Sequence, residues 1–364
     1  MKYDYLIVGA GLYGAVLSYK LRKQDKTVLV IDKRDHIGGN CYTEFKDGIH
    51  IHKYGPHIFH TNDKEIWDFV NEFCEFEQFI YSPIAVGSDL NIYNLPFNMN
   101  TFKQVYNLNE VDEVKKHLKT FKNQPEHIAN FEDYGISQLG YKMYHLLVKE
   151  YTEKQWGRAC DKLPIDILKR IPIRYSYDNN YFEDKYQGIP KEGYTRFIEK
   201  IFGDTLIRLN CPYDKSMYDW ADNIIYCGPI DELCDYMFGE LDWRSLRFEE
   251  VDYKDPYGSV VTNYCTKSQP YTRIINHKMF LKDTKYLSNN ICTFEYPQAW
   301  DRTKERYYPI DDTINREKYI KYLTHIRTFY PKIIMSGRLG WYEYINMDEV
   351  IKTALNFKGH ECIN

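Results

Sequence analysis

The chain has 364 residues, of which 43% are hydrophobic and 27% charged, and its formal net charge is -4 at pH 7. This composition is typical of a globular protein with two or three packed units, and the negative charge disfavours a nucleic-acid partner, which usually binds a basic surface. No apolar run approaches the roughly 18 residues of a membrane span. The nine cysteines never have C-x-x-C spacing, which favours free thiols in a reducing cytoplasm over disulfides or a metal site.

The first 32 residues have the pattern of a dinucleotide-binding unit. An apolar run is followed by Gly9, Gly11 and Gly14 in G-x-G-x-x-G spacing, then by a helical pattern over 15–21, a second apolar run and Asp32. The glycines permit a tight turn and close approach of the backbone to a pyrophosphate, which the helix N-terminus attracts. Asp32 can accept hydrogen bonds from ribose hydroxyls. The pattern therefore predicts a βαβ unit that binds a dinucleotide.

The residues after this unit distinguish between NAD and FAD. Residues 32–40 read D-K-R-D-H-I-G-G-N, which is similar to the D-x-R-x-x-x-G-G continuation of flavoproteins that hold FAD on their first βαβ unit. Gly38 and Gly39 offer a second close backbone approach, and Arg34 offers a cation. The sequence therefore favours FAD.

The rest of the chain alternates between helical, irregular and strand patterns before it returns to an α/β pattern. In chain order we predict a helix that starts at a capping box over Asn62–Glu65, a mostly helical stretch over 101–153, loop and short strand over 161–190, a helix over 194–202, strands over 223–227, 260–262, 271–275 and 292–296, a helix over 315–329, a strand over 332–336 and a last helix over 347–356. An α/β start and finish with other material between them indicates insertions into one nucleotide-binding domain.

Short motifs spread over essentially the whole chain are more specific than the glycine pattern. They are H-K-Y-G-P-H-I-F-H-T at 52–61, Y-T-E-K-Q-W-G at 151–157, K-R-I-P-I-R at 169–174, D-N-N-Y-F at 178–182, Q-G-I-P at 187–190 with G-Y-T at 193–195, P-Y-T-R at 270–273, Y-Y-P-I at 307–310 and G-R-L-G at 337–340. In combination they resemble the UDP-galactopyranose mutase family of flavin-dependent NDP-hexopyranose mutases, of which dTDP-fucopyranose mutase is a close relative.

The resemblance implies an α/β fold with two insertions. The expected domains are a Rossmann-like FAD-binding domain over 1–76, 193–240 and 312–364, an inserted helical domain over 77–148, and an inserted antiparallel β-sheet substrate domain over 149–192 and 241–311.

The resemblance also implies an activity, an isomerase reaction that needs reduced FAD and causes no net redox change. The flavin N5 forms an adduct with C1 of the sugar, and a nucleotide-linked hexopyranose is converted into its furanose. The expected substrate is UDP-galactopyranose and the product UDP-galactofuranose, for synthesis of a surface polysaccharide such as O-antigen. The expected partners are an external electron donor and a second copy of the chain in a cytoplasmic homodimer.

Other activities stay open on the sequence alone. They are a dTDP-fucopyranose mutase, a UDP-N-acetylgalactopyranose mutase, a flavin oxidase of the amine-oxidase type and a non-catalytic nucleotide-sugar binding module.

Residue by residue, the resemblance implies that Arg170 and Arg273 are catalytic and bind the substrate diphosphate. Guanidinium groups suit phosphate oxygens because they are always charged and offer fork-shaped donors. Tyr151 is expected to stack on the base and Asn263 to contact it. The other expected substrate-binding residues are Tyr81, Thr152, Trp156, Tyr181, Tyr308 and Tyr344.

The expected cofactor-binding residues are Gly9, Gly11, Gly14, Asp32, Lys33, Gly39, Asn40, His57, His60, Arg338, Asn346 and Met347. The spacing of His57 and His60 also suits a metal pair, but no acid or cysteine is placed to complete such a site. We therefore expect no metal.

Two positions depart from the family pattern. Asn346 stands where the family often has Asp, although Asn346 and Glu349 still form a capping box for the last helix. Tyr81 stands where relatives commonly have Asn or His close to the sugar. An aromatic side chain at that position suits a sugar that lacks a hydroxyl group, such as a 6-deoxyhexose.

Overall fold

The computed structural model describes residues 2–122, 124, 127–165, 167 and 173–359. The helices in this part of the chain are α1 (Leu12–Arg22), α2 (Lys64–Phe73), α3 (Met99–Tyr106), α4 (Val111–Lys119), α5 (Phe131–Tyr144), α6 (Glu150–Trp156), α7 (Gly193–Phe202), α8 (Ile230–Leu233), α9 (Thr313–Phe329), α10 (Gly337–Gly340) and α11 (Met347–Leu355). A π-helical segment, His145–Lys149, connects α5 to α6.

The strands are β1 (Tyr3–Val8), β2 (Val28–Ile31), β3 (Thr43–Lys46), β4 (Ile49–His52), β5 (Phe59–Thr61), β6 (Phe76–Gln78), β7 (Ile84–Val86), β8 (Ile92–Asn94), β9 (Tyr186–Pro190), β10 (Leu206–Arg208), β11 (Ala221–Tyr226), β12 (Trp243–Asp252), β13 (Val261–Tyr264), β14 (Arg273–Asn276), β15 (Ile291–Ala299), β16 (Tyr308–Pro309) and β17 (Ile333–Met335).

The described residues form two compact units. The first unit lies within Met1–Gln78, Asp184–Trp243 and Arg306–Asn364, and the second within Phe79–Glu183 and Arg244–Glu305. The division of the inserted material into a helical and a sheet domain stays a prediction.

The first unit is built on a parallel sheet with the strand order β10–β2–β1–β11–β17. Every residue of β2 is buried, and α1 buries most of its residues on the same core, as expected of strands that are covered on both faces. In such open sheets ligands bind beyond the carboxyl ends of the strands. The Rossmann-like fold predicted for this unit is confirmed, and β1 and β2 both end next to the glycine turns.

The second unit contains a sheet in which β12, β15, β14, β13, β7 and β8 are neighbours in that order. Most pairs are antiparallel, as predicted, but β13 and β7 are parallel. Helices α3 to α5 and the π-helical segment supply most of the buried residues of one hydrophobic cluster in this unit. None of the helices described in either unit is both long and apolar enough to cross a bilayer.

Two predicted helix starts had different outcomes. The capping box at the last helix is confirmed, since the Glu349 carboxylate accepts the backbone N–H of Asn346 at 3.0 Å. The capping box predicted to begin at Asn62 is wrong by one residue. Asp63 is the cap and accepts the N–H of Glu65 at 3.0 Å. The side-chain oxygen of Asn62 instead accepts the backbone N–H of Lys185 at 3.0 Å, and its NH2 group donates to Asp184 at 2.6 Å. Local sequence reveals neither partner. The strand predicted over 271–275 is displaced towards the C-terminus and lies at Arg273–Asn276.

Candidate active site

Two glycine turns of the first unit lie against each other. A bridge pairs Gly11 with Gly38, and the Gly38 N–H donates to the carbonyl oxygen of Ala10 at 2.8 Å. A Cβ at Gly39 would lie 3.1 Å from the Cα of Gly11, and a Cβ at Gly14 would overlap the carbonyl oxygen of Gly9. Side chains at Gly14 and Gly39 would clash with neighbouring backbone, so these turns can present backbone atoms to a ligand.

The amino end of α1 is open to an anion. Its N-cap residue is Gly11, which offers no side-chain cap, and its first turn contains no acidic residue. The first N–H groups of a helix lack internal partners and carry partial positive charge. These features fit the pyrophosphate of a dinucleotide.

Asp32 lies at the end of β2 beside the same turn. Its two carboxylate oxygens accept the backbone N–H groups of Ala10, at 2.7 Å, and Arg34, at 2.9 Å. Asn40 accepts from the Arg34 guanidinium at 3.1 Å. The Lys33 ammonium is 4.0 Å from Glu232. Asp32 is thus held in place, and each of its oxygens has a second lone pair available for a ribose hydroxyl.

The predicted cofactor residue Arg338, in α10, has two predicted substrate residues beside it. Burial lowers the pKa of the Arg338 guanidinium, and the hydroxyls of Tyr344 and Tyr308 are close enough to act on it electrostatically. Within the described residues its hydrogen-bond partner is the carbonyl oxygen of Tyr307, not a carboxylate. A cation without an acidic neighbour suits an anionic ligand. The rings of Tyr308 and Tyr344 lie 5.9 Å apart, so these two predicted substrate residues are neighbours.

The remaining predicted cofactor residues of the first unit are held by local contacts. The Met347 sulfur accepts from the Cys41 thiol at 3.7 Å, next to the cap at Asn346. The Nδ1 atoms of His57 and His60 lie 2.9 Å from the carbonyl oxygen of Gly55 and 2.6 Å from the Asp184 carboxylate, respectively.

In the second unit, α6 carries Tyr151, Thr152 and Trp156. Thr152 is buried, and the rings of Tyr151 and Trp156 pack at the edge of the helical core. A π-helical segment directly precedes α6, and such segments are rare and frequent at functional sites. The helix ends at Gly157 in the left-handed region, and Arg244 donates to the carbonyl oxygen of Gln155 at 2.8 Å.

The strand pair β13–β14 places Asn263 directly opposite Arg273. The Arg273 guanidinium binds Glu295 of β15 through two contacts, at 3.0 Å and 2.6 Å. Glu295 is fully buried and also accepts from the Thr272 hydroxyl at 3.3 Å. Asn263 donates to the carbonyl oxygen of Ile84 at 3.1 Å. A bidentate pair to a buried carboxylate fixes the orientation of Arg273.

Tyr81 and Tyr181 also lie together in this unit. The backbone N–H of Tyr181 donates to the carbonyl oxygen of Tyr81 at 2.7 Å, and the two rings are 5.5 Å apart. Tyr81 is buried, with its ring stacked on Phe182. Arg174 holds the carbonyl oxygens of Asn180 and Tyr181 and pairs with Glu183 at 2.9 Å. Arg170 lies outside the described residues, and its assignment stays a prediction.

The structure thus brings the predicted residues into groups within each unit, and it adds residues that the sequence did not indicate. Glu295 was missed because it belongs to no motif. Lys154 was missed although it stands inside Y-T-E-K-Q-W-G, since only the fold shows what it contacts. Its ammonium group donates to the carbonyl oxygens of Tyr264, Gln269 and Tyr271.

Sequence comparisons with known proteins point to one family. Residues 146–344 match the family model for UDP-galactopyranose mutase, and residues 7–73 match that for an NAD(P)-binding Rossmann-like domain. The chain is 36% identical to a probable UDP-galactopyranose mutase of Klebsiella pneumoniae, with 97% of this chain and 93% of the relative covered. It is 33% identical to the dTDP-fucopyranose mutase of Escherichia coli, with 96% of each chain covered.

Solved structures show the same fold at lower identity. A crystal structure of reduced UDP-galactopyranose mutase has a TM-score of 0.71 and 12% identity, with 97% of this chain and 94% of that chain covered. A putrescine oxidase bound to putrescine has a TM-score of 0.56 and 13% identity, with 98% of both chains covered. At these identities the likeness concerns the fold alone.

Proposed function

The chain belongs to the UDP-galactopyranose mutase family and is an isomerase, a hexopyranose mutase, and we propose that it converts UDP-galactopyranose into UDP-galactofuranose with FAD as its cofactor. The observation that carries this proposal is the arrangement at β13–β14, where Arg273 is oriented by buried Glu295 and lies opposite Asn263. A fixed guanidinium suits a diphosphate, and a nearby amide suits a pyrimidine.

The residues of the first unit fit FAD. A Cβ at Gly14 would overlap the carbonyl oxygen of Gly9, and one at Gly39 would lie 3.1 Å from the Cα of Gly11. The uncapped end of α1 offers N–H groups to a pyrophosphate. Asp32 would bind the ribose, and Arg338 would face the anionic part of the cofactor. The chemistry that bound, reduced FAD supplies is a nucleophile for the anomeric carbon of the sugar. We propose that an external electron donor keeps the cofactor reduced.

The residues of the second unit would bind and orient the nucleotide sugar. Tyr151 would stack on the base, since an aromatic ring offers a rigid surface for stacking. Arg273, together with Arg170, would hold the diphosphate and stabilise the charge that develops on it as the bond to the sugar breaks. Holding the sugar in a fixed orientation lowers the entropic part of the barrier. The hydroxyl group of Tyr181 would donate to the diphosphate. Tyr308 and Tyr344, for which the sequence predicts the same role, belong to the first unit.

A second candidate is dTDP-fucopyranose as the substrate. The observation that favours it is the buried Tyr81, whose ring stacks on Phe182 beside Tyr181. Such an aromatic surface suits the methyl group of a 6-deoxyhexose better than a hydroxymethyl group. A relative named dTDP-fucopyranose mutase is 33% identical to this chain, close to the 36% of the Klebsiella relative. UDP-N-acetylgalactopyranose stays a third candidate.

Several further predictions accompany this proposal. They are the adduct between flavin and sugar, a homodimeric assembly, a cytoplasmic location and a role in surface polysaccharide synthesis.

The test is a product assay with three substrates. Protein reduced with dithionite is incubated separately with UDP-galactose, dTDP-fucose and UDP-N-acetylgalactosamine, and furanose products are resolved by chromatography. We expect UDP-galactofuranose from reduced protein and none from the oxidised control. A furanose product from dTDP-fucose alone would contradict UDP-galactopyranose as the substrate and favour dTDP-fucopyranose. Reduced, FAD-loaded protein that forms no furanose from any of the three would contradict it.

A further inference from the structure

The ammonium group of Lys154 lies among three backbone carbonyl oxygens. It donates to Tyr264 at 2.8 Å, to Gln269 at 3.1 Å and to Tyr271 at 2.8 Å. A lysine ammonium has three donors and no acceptor, so the three carbonyls match its donors one to one. All three acceptors belong to the hairpin that connects β13 to β14.

Both partners of this contact carry proposed substrate residues. Lys154 lies in α6, between Tyr151 and Thr152 on one side and Trp156 on the other. On the hairpin, Asn263 directly precedes Tyr264, and Arg273 follows Tyr271 by two residues. The Lys154 contact is therefore within a few residues of the proposed substrate residues of α6 and of those of the hairpin, all inside the second unit.

The environment of Lys154 differs from that of an ordinary surface lysine. Burial lowers its pKa to about 8, although the Glu150 carboxylate acts in the opposite direction. The three carbonyl acceptors around the nitrogen favour the ammonium form, which has three donors. The three carbonyls would be left without this donor if the side chain were removed, and unsatisfied buried acceptors are unfavourable.

An outer contact links the same two elements but is more exposed. The backbone N–H of Lys267, in the hairpin, donates to Glu150 at 2.6 Å, and its ammonium pairs with Glu153 at 2.6 Å. The Lys267 side chain is 57% exposed, and ion pairs of this kind contribute little because water and salt screen them. Lys267 therefore offers a matched control, a lysine that connects the same elements from the solvent side.

We propose that Lys154 is a positioning residue for nucleotide binding. Lys154 holds the hairpin that carries Asn263 and Arg273 in register with the face of α6 that would bind the base. Lys154 touches no substrate atom in this proposal, which rests on the function proposed above. The base and the diphosphate of one ligand must be bound at a fixed separation. A loss of register therefore weakens nucleotide binding more than it slows the chemical step.

The test compares Lys154→Met with Lys267→Ala in FAD-loaded protein. UDP is titrated by calorimetry at a temperature well below the unfolding of each variant, and flavin per chain is measured by absorbance. We expect the Kd for UDP to rise at least tenfold in Lys154→Met and less than twofold in Lys267→Ala, with unchanged flavin content in both. A merely structural role would lower the folded fraction without altering the affinity of the folded protein. In turnover assays, KM should rise while kcat at saturating substrate stays within about threefold.

Lys154→Arg tests the geometry of the contact and replaces Lys154→Met if that variant fails to fold. It keeps the charge, but its planar fork does not match three converging carbonyls, so we expect a rise in Kd of at least fivefold. A Kd within twofold of the unaltered protein in a folded Lys154 variant would overturn this inference alone, provided that the unaltered protein binds UDP. No binding of UDP by the unaltered, FAD-loaded protein would overturn both this inference and the proposed function.

Discussion

The glycine turns of the first unit and the substrate residues of the second unit are assembled from different parts of the chain. The turns come from residues 9–14 and 38–40, and the atoms that face the expected ligand are mostly backbone. The residues of the second unit come from α6, from β13 and β14, and from the contact between Tyr81 and Tyr181. A local motif can specify the first arrangement, whereas the second depends on strand register and on buried polar contacts between distant segments.

The largest effect that follows from this comparison concerns Gly14. We expect Gly14→Ala to abolish FAD binding, because the added Cβ would overlap the carbonyl oxygen of Gly9 and the backbone would have to move. Flavin per chain, measured by absorbance after purification and reconstitution, should fall below about a tenth of the unaltered value. The control is Ala15→Gly, which removes one methyl group at the next residue. It costs about 1 kcal/mol of helix stability, and the variant should retain its flavin. Normal flavin content in Gly14→Ala would contradict the geometry of the turn.

The next effect concerns Arg273 in the second unit. Arg273→Ala should lower kcat/KM at least tenfold with unchanged flavin, because losing one partner of a buried charged contact costs about 2–5 kcal/mol. Arg247→Ala removes an exposed arginine on β12 that pairs with Glu249 at 3.0 Å and should leave kcat/KM within twofold. Near-normal kinetics in Arg273→Ala would remove this arginine from the substrate site.

The two regions also differ in how many of their features could be predicted from the sequence. The glycine turn, Asp32 and the capping box at Asn346 were predictable because each depends on residues close in sequence. The first cap was misplaced because the side-chain oxygen of Asn62, the atom that would cap the helix, accepts the backbone N–H of Lys185, far along the chain. Glu295 and the role of Lys154 were not predictable, since their partners are brought together only by the strand pairing of the second unit.

A smaller effect is expected at Glu295. Glu295→Gln keeps the shape of the side chain and an acceptor for Arg273 but removes the negative charge. The hydrogen bonds to a charged group contribute about 1.5–3 kcal/mol, and part of this remains in the variant. We therefore expect kcat/KM to fall less than in Arg273→Ala, by about three- to tenfold, with FAD binding unchanged. An unaltered kcat/KM would show that Arg273 needs no orienting carboxylate.

The smallest effect concerns sugar selectivity at Tyr81. Tyr81→Asn should shift the ratio of kcat/KM towards UDP-galactose relative to dTDP-fucose, by about 1–3 kcal/mol at most, the range for apolar discrimination between close analogues. Tyr93→Phe is a suitable comparison, since Tyr93 is a buried tyrosine of the same unit whose hydroxyl donates to Asp89 at 2.7 Å. An unchanged ratio in Tyr81→Asn would remove Tyr81 as the selector and leave the base as the main difference between the candidate substrates.

Hydrogen–deuterium exchange of the FAD-loaded protein with and without UDP tests the division of roles between the two units most directly. The account predicts that UDP slows exchange in peptides that cover 150–157 and 261–276, while peptides that cover 9–14 and 38–40 keep the rates of the FAD-loaded protein. Protection by UDP confined to the glycine turns, with unchanged exchange in α6 and in the hairpin between β13 and β14, would contradict it.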